Sequence, residues 1–283
     1  MLYFKKQKQD SPEINFCTEL RSEKAHSYEK LKRPEASGES RFLWSTDVGL
    51  PLRLRVKFLN GTDFQKSSVK LYAKQWELSS EHSKEGLSKI QFLYFNSNSP
   101  EKGDIRILFE PGGSNSYIGS DAENIPLTEP TMRLGWIDRS KSDQEIRQVI
   151  LHEFGHALGL IHEQQHPDAN IQWDPEKVYD YYKTTQNPPW SREQVDLNIF
   201  NRYDKTTLNG LAYDPKSIMH YAIDATLTKN NCCPVQWNHT LSDEDLLIIK
   251  KLYPLTECMQ FFEECCFDKR GVRIKCLPKK PKI

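Results

Sequence analysis

The sequence predicts an α+β domain, and three observations carry that expectation. Short segments between residues 52 and 137 read as strands, a strongly capped amphipathic helix opens at Ser142, and beyond residue 163 the pattern loosens into short helices and loops. Leu52-Arg53-Leu54-Arg55-Val56-Lys57-Phe58 alternates apolar and basic residues, as a half-buried strand does. Residues 67–78 place Val69, Leu71, Tyr72 and Trp76 at helical spacing. Residues 90–95 and 104–109 read as two further strands; Pro111-Gly112-Gly113 is a turn, and residues 116–119 form a short strand after it. Residues 131–137 complete the set. Ser142 can cap the next helix, with Glu145 completing a capping box, and Ile146, Val149, Ile150, Phe154, Ala157 and Leu158 point inward. Later helices are expected at residues 176–182, 191–198 and 242–252; the last is capped by Ser242 and carries Glu244 and Asp245 in its first turn, where the helix dipole favours them.

Composition narrows the function. The 283 residues hold 39 basic and 39 acidic side chains, a balance unlike the basic surplus of a nucleic-acid binder. No apolar run is long enough for a membrane-spanning helix, and the first six residues lack the apolar core of a secretory signal. Six of the seven cysteines lie between residues 232 and 276, a cluster that points to disulfides and an oxidising, extracellular compartment. Three segments follow: a charged arm over residues 1–42, read as flexible or as a propeptide remnant, an ordered domain over 43–255, and a cysteine-rich basic tail over 256–283. The tail's seven basic residues from 269 to 282 read as a solvated surface. Asn60 and Asn238 head glycosylation-type triplets.

Chemistry concentrates in residues 152–163, which read H-E-x-x-H-x-x-G-x-x-H. His152 and His156 are four apart, so one helix face presents both imidazoles to a single zinc ion. His162 would lie ~15 Å beyond His152 on an unbroken helix, so the helix must stop between them. Gly159 is placed to stop it, because glycine accepts the left-handed conformation of a helix C-terminus. Three histidines leave one position for water, the mark of a catalytic zinc site. Glu153, about 100° around the helix from His152, can act as general base toward that water and then as general acid toward the leaving amine.

A second element, Ser217-Ile218-Met219-His220-Tyr221, follows downstream. With Glu163 directly after the third histidine, the two motifs together resemble the astacin family of metzincin zinc endopeptidases. The likeness covers residues 43–255. It implies a bilobed metzincin-type domain: a twisted, mostly parallel sheet with helices above, an irregular lower lobe with a C-terminal helix below, and one zinc ion between. It makes Met219 the hydrophobic floor of the site and Tyr221 both a movable metal ligand and an oxyanion donor. It assigns Glu163 to binding a new N-terminus after propeptide removal. A protein or peptide substrate would lie extended along a sheet edge, placed near residues 115–119, with residues 222–230 shaping its pocket; no nucleic-acid partner or membrane span is expected. Two departures from the family stand out. The core from residue 18 to 231 has no cysteine, and His166 stands where arginine is usual, which favours a supporting or surface role for His166 over a fourth ligand. Cys17 is expected to be unpaired or intermolecular, with an inhibitory role at the metal as the alternative. The rival function is a zinc-binding pseudo-enzyme acting through the cysteine-rich tail.

Overall fold

The computed structural model describes residues 17–22, 42–45, 51–77, 90–186, 188–203 and 212–253. The proposed tail and its four cysteines, Cys258, Cys265, Cys266 and Cys276, lie outside the described residues. Within them, Cys232 and Cys233 form no disulfide.

Six strands form one mixed sheet in the order β1-β5-β6-β4-β2-β3. They are β1 (Cys17–Leu20), β2 (Leu52–Phe58), β3 (Ile90–Phe95), β4 (Ile105–Phe109), β5 (Ser114–Tyr117) and β6 (Met132–Leu134). Every pairing is parallel except β5 with β6, so the expected α+β class with a mostly parallel sheet is observed. The alternation in β2 works as read: Leu52, Leu54, Val56 and Phe58 are buried while the basic residues between them are not. Helix α1 (Asp63–Ala73) follows β2 and starts four residues earlier than its apolar spacing suggested. Thr62 and Gln65 form a capping box there, which fixes the start by satisfying backbone N–H groups before the apolar face begins.

The buried centre of the molecule is helix α2 (Asp143–Ala157), whose Ser142–Glu145 capping box forms as expected. Ile146, Val149, Ile150, Leu151, Phe154 and Ala157 join the main core, with Phe154 edge-on to Phe92 at 5.0 Å. Ser142 is exposed with its turn, so the helix runs from solvent into the interior and ends buried. Its last carbonyls are therefore met by side chains: Trp44 Nε1 donates to Ala157 O at 2.7 Å, and the Tyr253 hydroxyl donates to Leu158 O at 2.8 Å.

Beyond α2 the chain is mainly turns, with helices α3 (Pro175–Thr185), α4 (Arg192–Val195) and α5 (Asp243–Leu252). Helix α4 runs on into a wider turn at Asp196–Phe200. Val178, Tyr182, Val195, Ile199, Tyr221 and Leu227 make a second, smaller core. Both triplet asparagines are structural: Asn60 exchanges two hydrogen bonds with the Phe109 backbone, and Asn238 donates to the carbonyls of Pro215 and Ser217.

The arm expectation needs correction at one place. Cys17–Leu20 is a strand in the sheet, paired with β5 from Cys17 opposite Ser114 to Leu20 opposite Tyr117. Its sequence carries no alternation to signal this; the pairing partner imposes the conformation.

Candidate metal centre

Helix α2 delivers His152 and His156 on one face, with ring centroids 4.7 Å apart and planes nearly perpendicular. The helix then closes in a Schellman turn: Leu160 N–H donates to Gly155 O and Gly159 N–H to His156 O, with Gly159 at φ +94°. That reversal brings His162 back to the pair. His162 Nε2 lies 3.2 Å from His156 Nε2, and its ring centroid is 5.3 Å from that of His152. All three side chains are buried.

Backbone carbonyls set the ring orientations. His152 Nδ1 lies 2.8 Å from Ile218 O and His156 Nδ1 lies 2.9 Å from Leu160 O, an arrangement that assigns the proton to Nδ1 and leaves Nε2 a bare lone pair. His152 Nε2 is fully buried and has no hydrogen-bond partner among the described residues. Tetrahedral zinc with nitrogens at ~2.0–2.1 Å would hold them ~3.3–3.4 Å apart, close to the 3.2 Å between His156 and His162. Burial, with help from neighbouring imidazoles, lowers His152 to about 3 and His162 well below its usual value, which keeps both in the neutral form that binds a cation. The residues fit zinc.

The residues around the histidines hold them in place. Asp245, in the first turn of α5, accepts from Ser217 Oγ at 2.6 Å, Ile218 N at 2.8 Å and Ser242 N at 2.9 Å. One carboxylate thus caps its own helix and fixes the turn whose Ile218 carbonyl orients His152. Met219 lies under the helix: a Cβ built on Gly155 would stand 2.3 Å from Met219 Sδ. Glu163 N–H donates to Met219 O at 3.1 Å, and Glu163 Oε1 accepts from Asp214 N at 2.9 Å. Burial raises the Glu163 carboxyl to about 8. Gln164 Oε1 accepts from Tyr221 N at 3.2 Å, tying the second motif to the turn after the third histidine.

Tyr221 stacks at an angle on His162, with centroids 4.4 Å apart, and its hydroxyl donates to the Cys17 carbonyl oxygen. Glu153 is wholly buried next to the cluster; burial raises its carboxyl to about 8, opposed by the nearby Cys17 thiol. His166 is buried beside Tyr213 and accepts from Asp168 N at 3.0 Å; it is a supporting residue, not a surface one.

The structure therefore gathers His152, Glu153, His156, His162, Met219 and Tyr221, with Gly159 turning the chain and Glu163 bracing the turn. It also places Cys17 beside the histidines, the less favoured of the two expectations for that residue. Cys17 is neither peripheral nor at an outer surface: its Sγ and one nitrogen from each of the three histidines lie within 4.8 Å of one another. Sequence reasoning also does not single out Asp245, Gln164 or Asp121 as site residues. The Ser217–Asp245 and Ser22–Asp121 contacts join positions far apart in sequence, so no local pattern announces them.

Fold and site together define a zinc metallopeptidase. The family model for the Astacin peptidases matches residues 83–253, more than half of the chain, and the chain belongs to that family. Meprin A subunit beta of Rattus norvegicus is 29% identical over 134 residues, 44% of this chain and 18% of its own length. Zinc metalloproteinase nas-36 of Caenorhabditis elegans is 29% identical over 214 residues, 71% of this chain and 27% of its own length. The matched region thus spans about a fifth to a quarter of these relatives. Among solved structures, myroilysin is similar at 40% identity and a TM-score of 0.65, over 76% of this chain and 97% of its own. The hatching enzyme zinc-protease HCE-1 from Oryzias latipes shares the fold at 19% identity and a TM-score of 0.54, over 79% of this chain and all of its own.

Proposed function

We propose that this chain is an endopeptidase that hydrolyses internal peptide bonds at one zinc ion held by His152, His156 and His162. The observation that carries the reading is the convergence of buried imidazole nitrogens, oriented by Ile218 and Leu160, beside the buried carboxyl of Glu153. Zinc, when bound, supplies a Lewis acid and lowers the pKa of a water to about 7.

The chain's own residues do the rest. Glu153 takes the proton of the attacking water and returns it to the departing amine. Tyr221 donates its hydroxyl to a carbonyl oxygen in this structure, that of Cys17, and we assign it the same contact with the oxyanion of the reacting peptide. Met219 packs its thioether against α2 at Gly155 and forms the floor of the site. The expected substrate edge near residues 115–119 is not open in this structure, because β5 pairs with β1 on one side and β6 on the other; an extended substrate would add along β5 only with β1 displaced. The cysteine cluster supports a secreted setting.

The test is cleavage of an unfolded protein by a Cys17→Ala chain, since Cys17 stands in the site, with a chelated control and Glu153→Gln in the same background. Loss of Glu153 should lower turnover about 10²–10⁴-fold with zinc still bound. Full activity in Glu153→Gln would remove that residue from the mechanism. Tyr221→Phe should lower turnover while zinc content stays the same; a loss of zinc would make it chiefly a ligand.

A further inference from the structure

We propose that the loop carrying Cys232 and Cys233 is the docking point of the chain's own C-terminal segment, joined to it by two disulfides, one from each thiol. The inference is independent of the metal centre; Cys17, buried among the histidines, is set aside. Of the other six cysteines, two stand in this loop and four, Cys258, Cys265, Cys266 and Cys276, follow Tyr253. Neither loop cysteine forms a disulfide within the described residues; Cys233 is exposed and Cys232 half-buried. Free cysteine is among the most buried of residue types, so an exposed pair calls for a reason other than packing. The two thiols lie side by side, and hydrogen bonding and charge from Cys232 push the Cys233 thiol up. A bond between them is disfavoured. Consecutive Cα atoms stand ~3.8 Å apart, short of the ~4.4–6.8 Å that an unstrained disulfide spans. With that bond set aside, every complete pairing of the six sends both Cys232 and Cys233 to the C-terminal segment.

The loop is built as an anchor. Ile223 and Val235 exchange two backbone hydrogen bonds across its base, at 2.8 and 3.1 Å. Within it, Thr228 Oγ1 lies 2.6 Å from Cys232 O, and Lys229 N–H donates to Gln172 O at 2.7 Å. Leu227 roots the loop in the smaller core. Asn230, Asn231 and Cys233 hold positive φ angles of 60°, 49° and 57°. Asparagine tolerates that conformation; for cysteine it costs energy, and at an exposed position no packing offsets the cost. Reach is sufficient: Cys265 lies twelve residues past Tyr253, which allows a span of up to about 40 Å. Each cross-link joins two sulfurs and gives up two protons and two electrons. A small disulfide of the glutathione class accepts them and leaves as two thiols. The two links fix residues 223–235, which begin two positions after Tyr221, and restrict the unfolded chain.

The experiment maps the disulfides of the full wild-type chain, so no variant needs to fold. The protein is equilibrated with reduced and oxidised glutathione and alkylated without reduction. It is then digested with pepsin in acid, where thiolate exchange stops. Mass spectrometry reads the partners of the peptide that holds Cys232 and Cys233. That peptide should appear only joined to peptides from residues 254–283, on a chain that runs as a monomer in a non-reducing gel. Reduction should separate them with complete loss of the joined species. An alkylated thiol or a bound glutathione at either position would overturn the proposal. So would a bond between Cys232 and Cys233, or a joined species found only in a covalent dimer. None of these outcomes bears on the histidine centre, which metal binding reports separately.

Discussion

Two stretches of this chain reach order by different means. From Leu52 to Ala157, strands and helices present apolar faces to one another, and Leu54, Val56, Ile107, Met132, Ile150 and Phe154 are fully buried in one core. From Gly159 to Tyr253, apolar packing is thinner and polar contacts over long sequence distances set the path: Asp245 to Ser217 and Ile218, Gln164 to Tyr221, Arg202 to the carbonyls of Gln164 and Ala169. The first stretch brings two histidines to one face through helix geometry, and carbonyls of the second stretch orient their rings. The second places the third histidine, the floor and the tyrosine, and does so through a few buried acceptors. Rigidity in one part comes from many weak contacts; in the other it hangs on a few strong ones.

Substitutions can break that contrast. Ile107→Ala, in the centre of the sheet, should cost about 2–5 kcal/mol of stability and leave metal affinity unchanged. Denaturant unfolding and metal competition on the same sample would check both halves. Asp245→Ala should invert the pattern. By freeing the Ser217–Ile218 turn it should weaken metal binding about 10–100-fold, with about 1–3 kcal/mol lost in stability. Unchanged affinity would show that the turn holds itself.

Gly155 lies where the two stretches touch. Gly155→Ala drives a methyl into Met219 Sδ and should destabilise by about 1–3 kcal/mol. Adding Met219→Ala should recover part of that loss, and additive effects would mean the two do not meet. The smallest effect belongs to the exposed end of α2. Ser142→Ala should cost about 0.5–2 kcal/mol. Hydrogen bonds from the Ser142 N–H and hydroxyl hold the Glu145 carboxyl below its usual 4.5. A depressed folded value stabilises above pH 4.5 and is lost as pH falls through it, so the gap between wild type and variant should narrow in acid. Thermal melts across that range would show it.

The contrast also explains what was legible in the sequence. Leu52–Phe58 and the Ser142 helix declare themselves because period and capping are local properties. The three histidines and the stop at Gly159 follow from spacing. The Thr62-x-x-Gln65 box is equally local and marks the start of α1 more closely than apolar spacing does. Asp245 reads locally as a residue suited to a helix dipole; its hold on Ile218 exists only after folding. Cys17 and Glu19 sit in a segment with no strand signature, made a strand by β5.

That last pairing has a bearing on solubility. With β1 in place, the sheet ends on that side in a strand of four residues. If β1 departs, β5 is left as an open margin of unpaired amides and carbonyls, and such margins recruit strands from any chain at hand. A margin open in that way would also pair with another copy of the protein. In this structure the short strand covers that margin.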